Sequence, residues 1–151
     1  MPEVVYDSLP ESLLQFLQGE KLVFVSTIDH ETGAPNTTAI SWMLAKDAQN
    51  IRFAMDPRSR VIANLRKDPR IQVTVPGAGS CFGISGIANI GDDVMNGVSL
   101  KMVMVEIQLQ EVRDVMFYGG KLSVEPQYEK TYDPKLAKKF DAEIYTALQT
   151  D

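Results

Sequence analysis

The residues of this chain best equipped for chemistry lie together in Met55-Asp56-Pro57-Arg58-Ser59-Arg60. Asp56 suits a helix N-cap and Pro57 a first helical position, because proline's missing N–H would be unpaired there anyway. Val61, Ile62 and Leu65 then recur at helical spacing, Arg66 and Lys67 fall in the last turn where cations suit the helix dipole, and Pro69 stops the helix. The first turn of that predicted helix holds Arg58, Ser59 and Arg60. Two guanidinium groups, a hydroxyl and free backbone N–H groups at a helix start can seat a phosphate. The same residues are more commonly a solvated helix face, so the weight falls on what surrounds them.

Little else in the chain can act as a nucleophile, an acid–base pair or a metal cage. There is one histidine, His30, in the turn Asp29-His30-Glu31-Thr32-Gly33, and one cysteine, Cys81. A Ser/His/Asp or Cys/His set cannot be assembled around a lone turn histidine, and no Cys/His metal cluster exists. Trp42, on an alternating strand, reads first as barrel core and second as a stacking partner for a ring.

The whole chain sets further bounds. At 151 residues it fits one domain with a core of its own, and 44% hydrophobic with 23% charged residues is ordinary for a globular protein. A net charge of −5 argues against a general nucleic-acid binder. No run reaches the ~18 apolar residues of a membrane span. The first residues lack the basic start and apolar stretch of a signal peptide, which gives the expectation of a cytoplasmic protein.

The elements that must position the candidate seat are strands. Lys21–Ile28 is nearly continuous in apolarity, Asn36–Ala45 and Ile51–Met55 follow across turns, and Arg70–Val75, Cys81–Ile90 and Lys101–Val112 alternate. Val115–Tyr118 reads as a last short strand. Gly83 and Gly86 inside Cys81–Ile90 imply a bulge or tight bend. Ser8-Leu9-Pro10-Glu11 has the form of a capping box before a first helix, and Leu136, Phe140, Ile144 and Leu148 mark a last one. Short turns between neighbouring strands favour antiparallel pairing, and glycine bends favour closure. The expected fold is mainly β with flanking helices: a six- to seven-stranded antiparallel split β-barrel, a crossover helix after the third strand and helices at both termini. It forms one domain over 1–151, with the barrel over about 20–118 and the last helix over about 134–149.

In this order, the hairpin Asp29–Pro35 and the run Asp56-Pro57-Arg58-Ser59-Arg60-Val61-Ile62-Ala63-Asn64-Leu65-Arg66-Lys67-Asp68-Pro69-Arg70 resemble the FMN-binding split barrels related to pyridoxamine 5′-phosphate oxidase. The resemblance covers about Leu9 to Val112, with Gly86-Ile87-Ala88 as a second signature. It implies that Ser59 and Arg60 hold the FMN phosphate, with Arg58 in addition. It further implies that Ala39, Ile40, Ser41 and Trp42, with Met55 and Asp56, lie along the isoalloxazine ring. It implies a homodimer with the cofactor at the subunit interface, approached by Cys81 and Phe82 from the other copy.

The chain departs from the family pattern twice. Val61 stands where the oxidases carry a lysine, and the segment Gly119–Asp151 contains no arginine, whereas the oxidases end in an arginine-rich substrate segment. The expectation is a small general-stress-type relative rather than the true oxidase. It would be an FMN-dependent oxidoreductase passing electrons between a nicotinamide cofactor and a small acceptor. The alternative is a non-catalytic carrier of FMN, a deazaflavin or haem, and FMN is placed ahead of the other two. No metal, nucleic-acid or membrane partner is expected.

Overall fold

The structure is a computed structural model that describes residues 5–150. Its sheet holds eight strands: β1 (Val5–Tyr6), β2 (Val23–Ile28), β3 (Pro35–Ile40), β4 (Met43–Ala45), β5 (Asn50–Met55), β6 (Arg70–Gly77), β7 (Ser80–Val94) and β8 (Val103–Asp114). Three helices accompany them: α1 (Glu11–Phe16), α2 (Arg60–Lys67) and α3 (Pro134–Gln149). The strands run in the order β3-β2-β6-β7-β8-β5-β4, with β1 added on β8, and every pairing is antiparallel. The sheet curls into a half-barrel. Its two ends, β3 and β4, are consecutive in the chain yet are not paired with each other. That gap is the split. α2 crosses from β5 to β6, two strands that are not neighbours in the sheet.

The strand count differs from the sequence expectation at three places. Asn36–Ala45 breaks at Ser41-Trp42 into β3 and β4, Val5–Tyr6 adds a short strand, and Val115–Tyr118 is not a strand. The helix starts differ as well. The N-cap of α1 is Pro10 with no side-chain bond, so the Ser8 capping box does not form. Ahead of α2, Asp56-Pro57-Arg58-Ser59 closes a turn instead, with the Ser59 N–H donating to the Asp56 carbonyl at 3.0 Å. Proline suits the second position of such a turn. Ser59 is therefore the N-cap, its hydroxyl accepting from the Ile62 N–H at 3.4 Å.

The inner face of the sheet forms the main core. Val23, Val25, Ile51, Phe53, Val73, Ile84, Val105 and Ile107 lie on it, covered by Leu13 of α1, Leu17 at its C-cap, and Val61, Ile62 and Leu65 from α2. A second, smaller cluster lies on the other side of β4 and β5, where Leu44, Ala54 and Met95 meet Ile144 and Leu148 of α3. The bulge expected from the glycines is present: β7 and β8 slip register between Ser85 and Gly86. A Cβ on Gly86 would stand 2.4 Å from the Gln108 carbonyl oxygen and 2.7 Å from Ile107 Cγ2, so no side chain fits there. Among the described residues no helix is long and apolar enough to cross a membrane.

Candidate functional site

The first turn of α2 sits between the β2–β3 hairpin and the end of β5, and each of its polar groups has a defined role. Ser59 Oγ is the helix cap. Arg58 folds back on its own turn: Asp56 Oδ1 accepts from its backbone N–H at 2.8 Å and from Nε at 3.1 Å, and Oδ2 accepts from Nη2 at 2.9 Å. These bonds from the Arg58 side chain and backbone hold Asp56 at about 2, and the carboxylate in turn raises Arg58. Arg60 instead reaches across to the hairpin, where Nη1 stands 2.5 Å from Asp29 Oδ1. Its side chain stays 60% exposed, while that of Asp29 is 4% exposed. The amides of Arg60 and Val61, in the first turn of α2, have no carbonyl one turn back to bond.

The helix is tied to the same hairpin by a residue that the sequence reading passed over. Asn64 is fully buried. Its Oδ1 accepts from the His30 backbone N–H and faces His30 Nδ1, each at 2.8 Å, and its amide donates to Thr27 Oγ1 and Asn36 Oδ1 at 2.9 Å. A backbone N–H can only donate, which fixes the orientation of the amide; His30 must then carry its proton on Nδ1. Lys67 Nζ adds a bond to the His30 carbonyl at 2.8 Å. His30 is thus a half-buried joint between hairpin and helix. The available signal was a polar residue inside the apolar stripe formed by Val61 and Leu65, since such a residue needs partners.

The remaining expected residues divide between two places. Ala39 and Ile40 lie on β3, whose residues are exposed or half-exposed throughout. From Asn36, bonded to Asn64, to Ile40, the strand rises roughly 13 Å. Ser41 and Trp42 form the bend after it, and the Trp42 carbonyl accepts from the Ala54 N–H at 3.0 Å, which brings the bend beside the end of β5 and so beside Met55 and Asp56. The face assignments change at this bend. Ile40 packs on the main core, whereas Trp42 packs on the α3 cluster, although strict alternation would place them on one face.

Both bend residues are engaged by α3. Trp42 Nε1 donates to Asp141 Oδ1 at 2.7 Å, with Lys130 Nζ 5.8 Å from the ring centroid. The Ser41 carbonyl accepts from Tyr145 Oη at 2.5 Å. Burial pushes the Tyr145 phenol up. Burial works against the charge of Lys130, but Asp141 and Glu20 outweigh it and its pKa is raised. Phe82 is buried in its own chain's core; Cys81, half-buried, has a thiol pushed up by burial and by Asp114. Concave spaces lie elsewhere. One of about 520 Å³ lies by Phe16 and Tyr128 under the connector of residues 121–133 between β8 and α3, one of about 620 Å³ lies by Tyr6 and Glu111, and one of about 650 Å³ lies between α3 and the facing ends of β7 and β8. The stretch from Arg60 along β3 to the bend is open on the single chain.

Solved structures share this architecture. The first is a candidate pyridoxamine 5′-phosphate oxidase from Lactobacillus delbrueckii, 14% identical, with a TM-score of 0.63 over 74% of this chain and 98% of that one. General Stress Protein 26 of Bacillus anthracis is 15% identical, with a TM-score of 0.56 over 68% and 89%. An F420 reductase is also 15% identical, with a TM-score of 0.55 over 69% and 98%. At such identities the likeness concerns the fold. No curated protein gives a significant match. The sequence itself matches the family described as Pyridoxamine 5′-phosphate oxidase over residues 9–119, from the start of α1 to the end of the sheet. By that match the chain belongs to the pyridoxamine 5′-phosphate oxidase family.

Proposed function

We propose that this protein binds FMN and serves as an oxidoreductase that passes electrons between a nicotinamide cofactor and a small acceptor. The observation that carries this reading is Arg60: an exposed guanidinium beside two free helix amides, at one end of an open strand that leads to the Ser41–Trp42 bend. Arg60 and the first-turn amides of α2 would take the phosphate, with Ser59 shaping the turn as its cap. Ala39, Ile40 and the end of β5 at Met55 and Asp56 would line the ring. FMN would supply the hydride and electron chemistry; the chain's residues bind and orient it. The missing cation at Val61 leaves Arg60 as the main anion contact, because Asp56 takes two side-chain nitrogens of Arg58 whereas Asp29 takes one of Arg60.

The reading includes a homodimer, in a cytoplasmic setting, with the cofactor between the copies. β3 is a six-residue edge strand, exposed except at the half-buried Asn36 and Ile40 and free of charged residues. Natural sheets cover or charge such edges. Ile87, Val115, Phe117 and Tyr118 are further exposed apolar groups. An open flavin groove on the single chain is what a second copy would close.

The test is a titration of the purified protein with FMN, followed by anaerobic addition of NADH or NADPH. Binding with bleaching of the flavin absorbance supports the reading, and Arg60→Ala should weaken FMN by about tenfold, the share of one exposed charge-assisted contact. No binding would sink it. A second reading, a deazaflavin or carrier function, is favoured by the likeness to an F420 reductase. Binding of FMN without reduction by either nicotinamide would favour the carrier.

A further inference from the structure

Asp29 divides its two oxygens between two jobs. Oδ2 accepts from the backbone N–H of Glu31 at 3.0 Å, from that of Thr32 at 2.9 Å and from the Thr32 hydroxyl at 3.1 Å, which closes the β2–β3 turn. Oδ1 faces Arg60 Nη1 at 2.5 Å. The carboxylate is buried, so it needs partners for both oxygens, and the turn supplies them for only one. Its turn bonds also keep it from moving. Asn64, bonded to Thr27, His30 and Asn36, holds the hairpin against α2, so the carboxylate has a set position relative to the helix start.

We infer that Asp29 is the positioning residue of the phosphate seat: it grips Arg60 by one nitrogen and leaves the other N–H groups of that guanidinium for an anion at the first turn of α2. This inference rests on the phosphate reading above. A free arginine on a helix surface loses rotamer freedom when it binds an anion, and one already held loses less. The planar guanidinium has five donors, so one bond to Asp29 leaves a fork able to take a phosphate. Arg58 offers no such arrangement. Its pair with Asp56 lies within one turn, and the Arg58 side chain is 89% exposed. The two arginines look alike in sequence, but only Arg60 is braced from another element.

Asp29→Asn separates the two jobs. The Asn oxygen can still accept from Glu31 and Thr32, because Asn closes such turns as Asp does. Its amide then faces Arg60 donor to donor, and the guanidinium is released. Dissociation constants of FMN and of riboflavin, which lacks the phosphate, are measured for the full-length wild type, Asp29→Asn, Arg60→Ala and the double variant. Wild type is expected to bind FMN about tenfold more tightly than riboflavin. Asp29→Asn should lose about fivefold in FMN affinity with riboflavin unchanged, and the double variant should be no weaker than Arg60→Ala. Asp29→Ser, whose hydroxyl also closes the turn, is read in the same way and serves if Asp29→Asn does not fold. Variants that bind FMN as well as or better than wild type, or that lose both flavins in proportion, overturn the role of Asp29 alone. A wild type that binds both flavins alike, or neither, overturns the phosphate seat and this role with it.

Discussion

The indole N–H of Trp42 donates to Asp141 across 2.7 Å, joining the β3–β4 bend to α3 over 99 residues of sequence. The family match ends at residue 119, so the partner that fixes this bend comes from a part of the chain outside it. Asp141 also accepts from Lys130 at 3.2 Å, so one carboxylate anchors both the connector and the helix.

Asp141→Ala should therefore loosen α3 and leave the indole unpaired, at a cost of about 1–3 kcal/mol. Trp42 is the single tryptophan, which makes its emission a direct probe. A red shift in the folded variant, with a lower melting temperature, is the expected result.

Asn64→Ala removes the bonds of Asn64 to His30, Thr27 and Asn36, leaving those of Arg60 and Lys67 to the hairpin, and leaves the amide of His30 without its acceptor in the interior. The expected loss is about 2–4 kcal/mol in urea unfolding. Hydrogen exchange should show the His30 amide opening first, because Asn64 Oδ1 is its acceptor.

Gly86→Ala places a methyl group against the Gln108 carbonyl, a backbone atom that cannot turn aside. We expect a loss of about 3 kcal/mol. The same change at Gly19, where nothing lies within 4 Å, should be close to neutral and serves as the control.

Acid should destabilise the protein through three aspartates. Asp56 and Asp68 are held at about 2 by the side-chain and backbone bonds of Arg58 and Arg70, and Asp29 lies lower still, first through the Thr32 amide and then through Glu31 and Arg60. Their folded values lie below the ordinary 3.8, so the unfolded chain binds protons first as pH falls. The stability they add is fully present above about pH 5 and drains away between about pH 4 and 2. Thermal melts across that window should fall with pH. In 1 M salt, where the screening length is about 3 Å, the share of the exposed Asp56 and Asp68 pairs should shrink, and Asp29→Asn should remove most of the slope that remains.

Much of this could be read from the chain itself. Alternating apolar residues set β6, β7 and β8; the stripe of Val61, Ile62 and Leu65 set α2; and Gly86 marked the bulge. These are local signals, carried by the repeat of one element. Arg60 was legible as a candidate too, because its type and its place after a strand are matters of sequence. The last helix shows where such reading drifts. Residues four apart advance about 40° beyond a full turn, so Leu136 stands about 120° from Leu148 around the axis. Leu136 is 43% exposed, while Ala137, Ile144 and Leu148 face inward.

What the sequence determined by itself was β2 and β5 to β8, the helix after β5 and the two arginines at its start. Only the tertiary structure decided that Arg60 is braced by Asp29 while Arg58 is matched within its own turn. It alone turned Trp42 away from the barrel core towards α3, and made Asn64 the joint between helix and hairpin. The reason is physical. Strand and helix periods are set by neighbours along the chain, whereas the worth of a charge or a buried amide depends on which distant group supplies its partner.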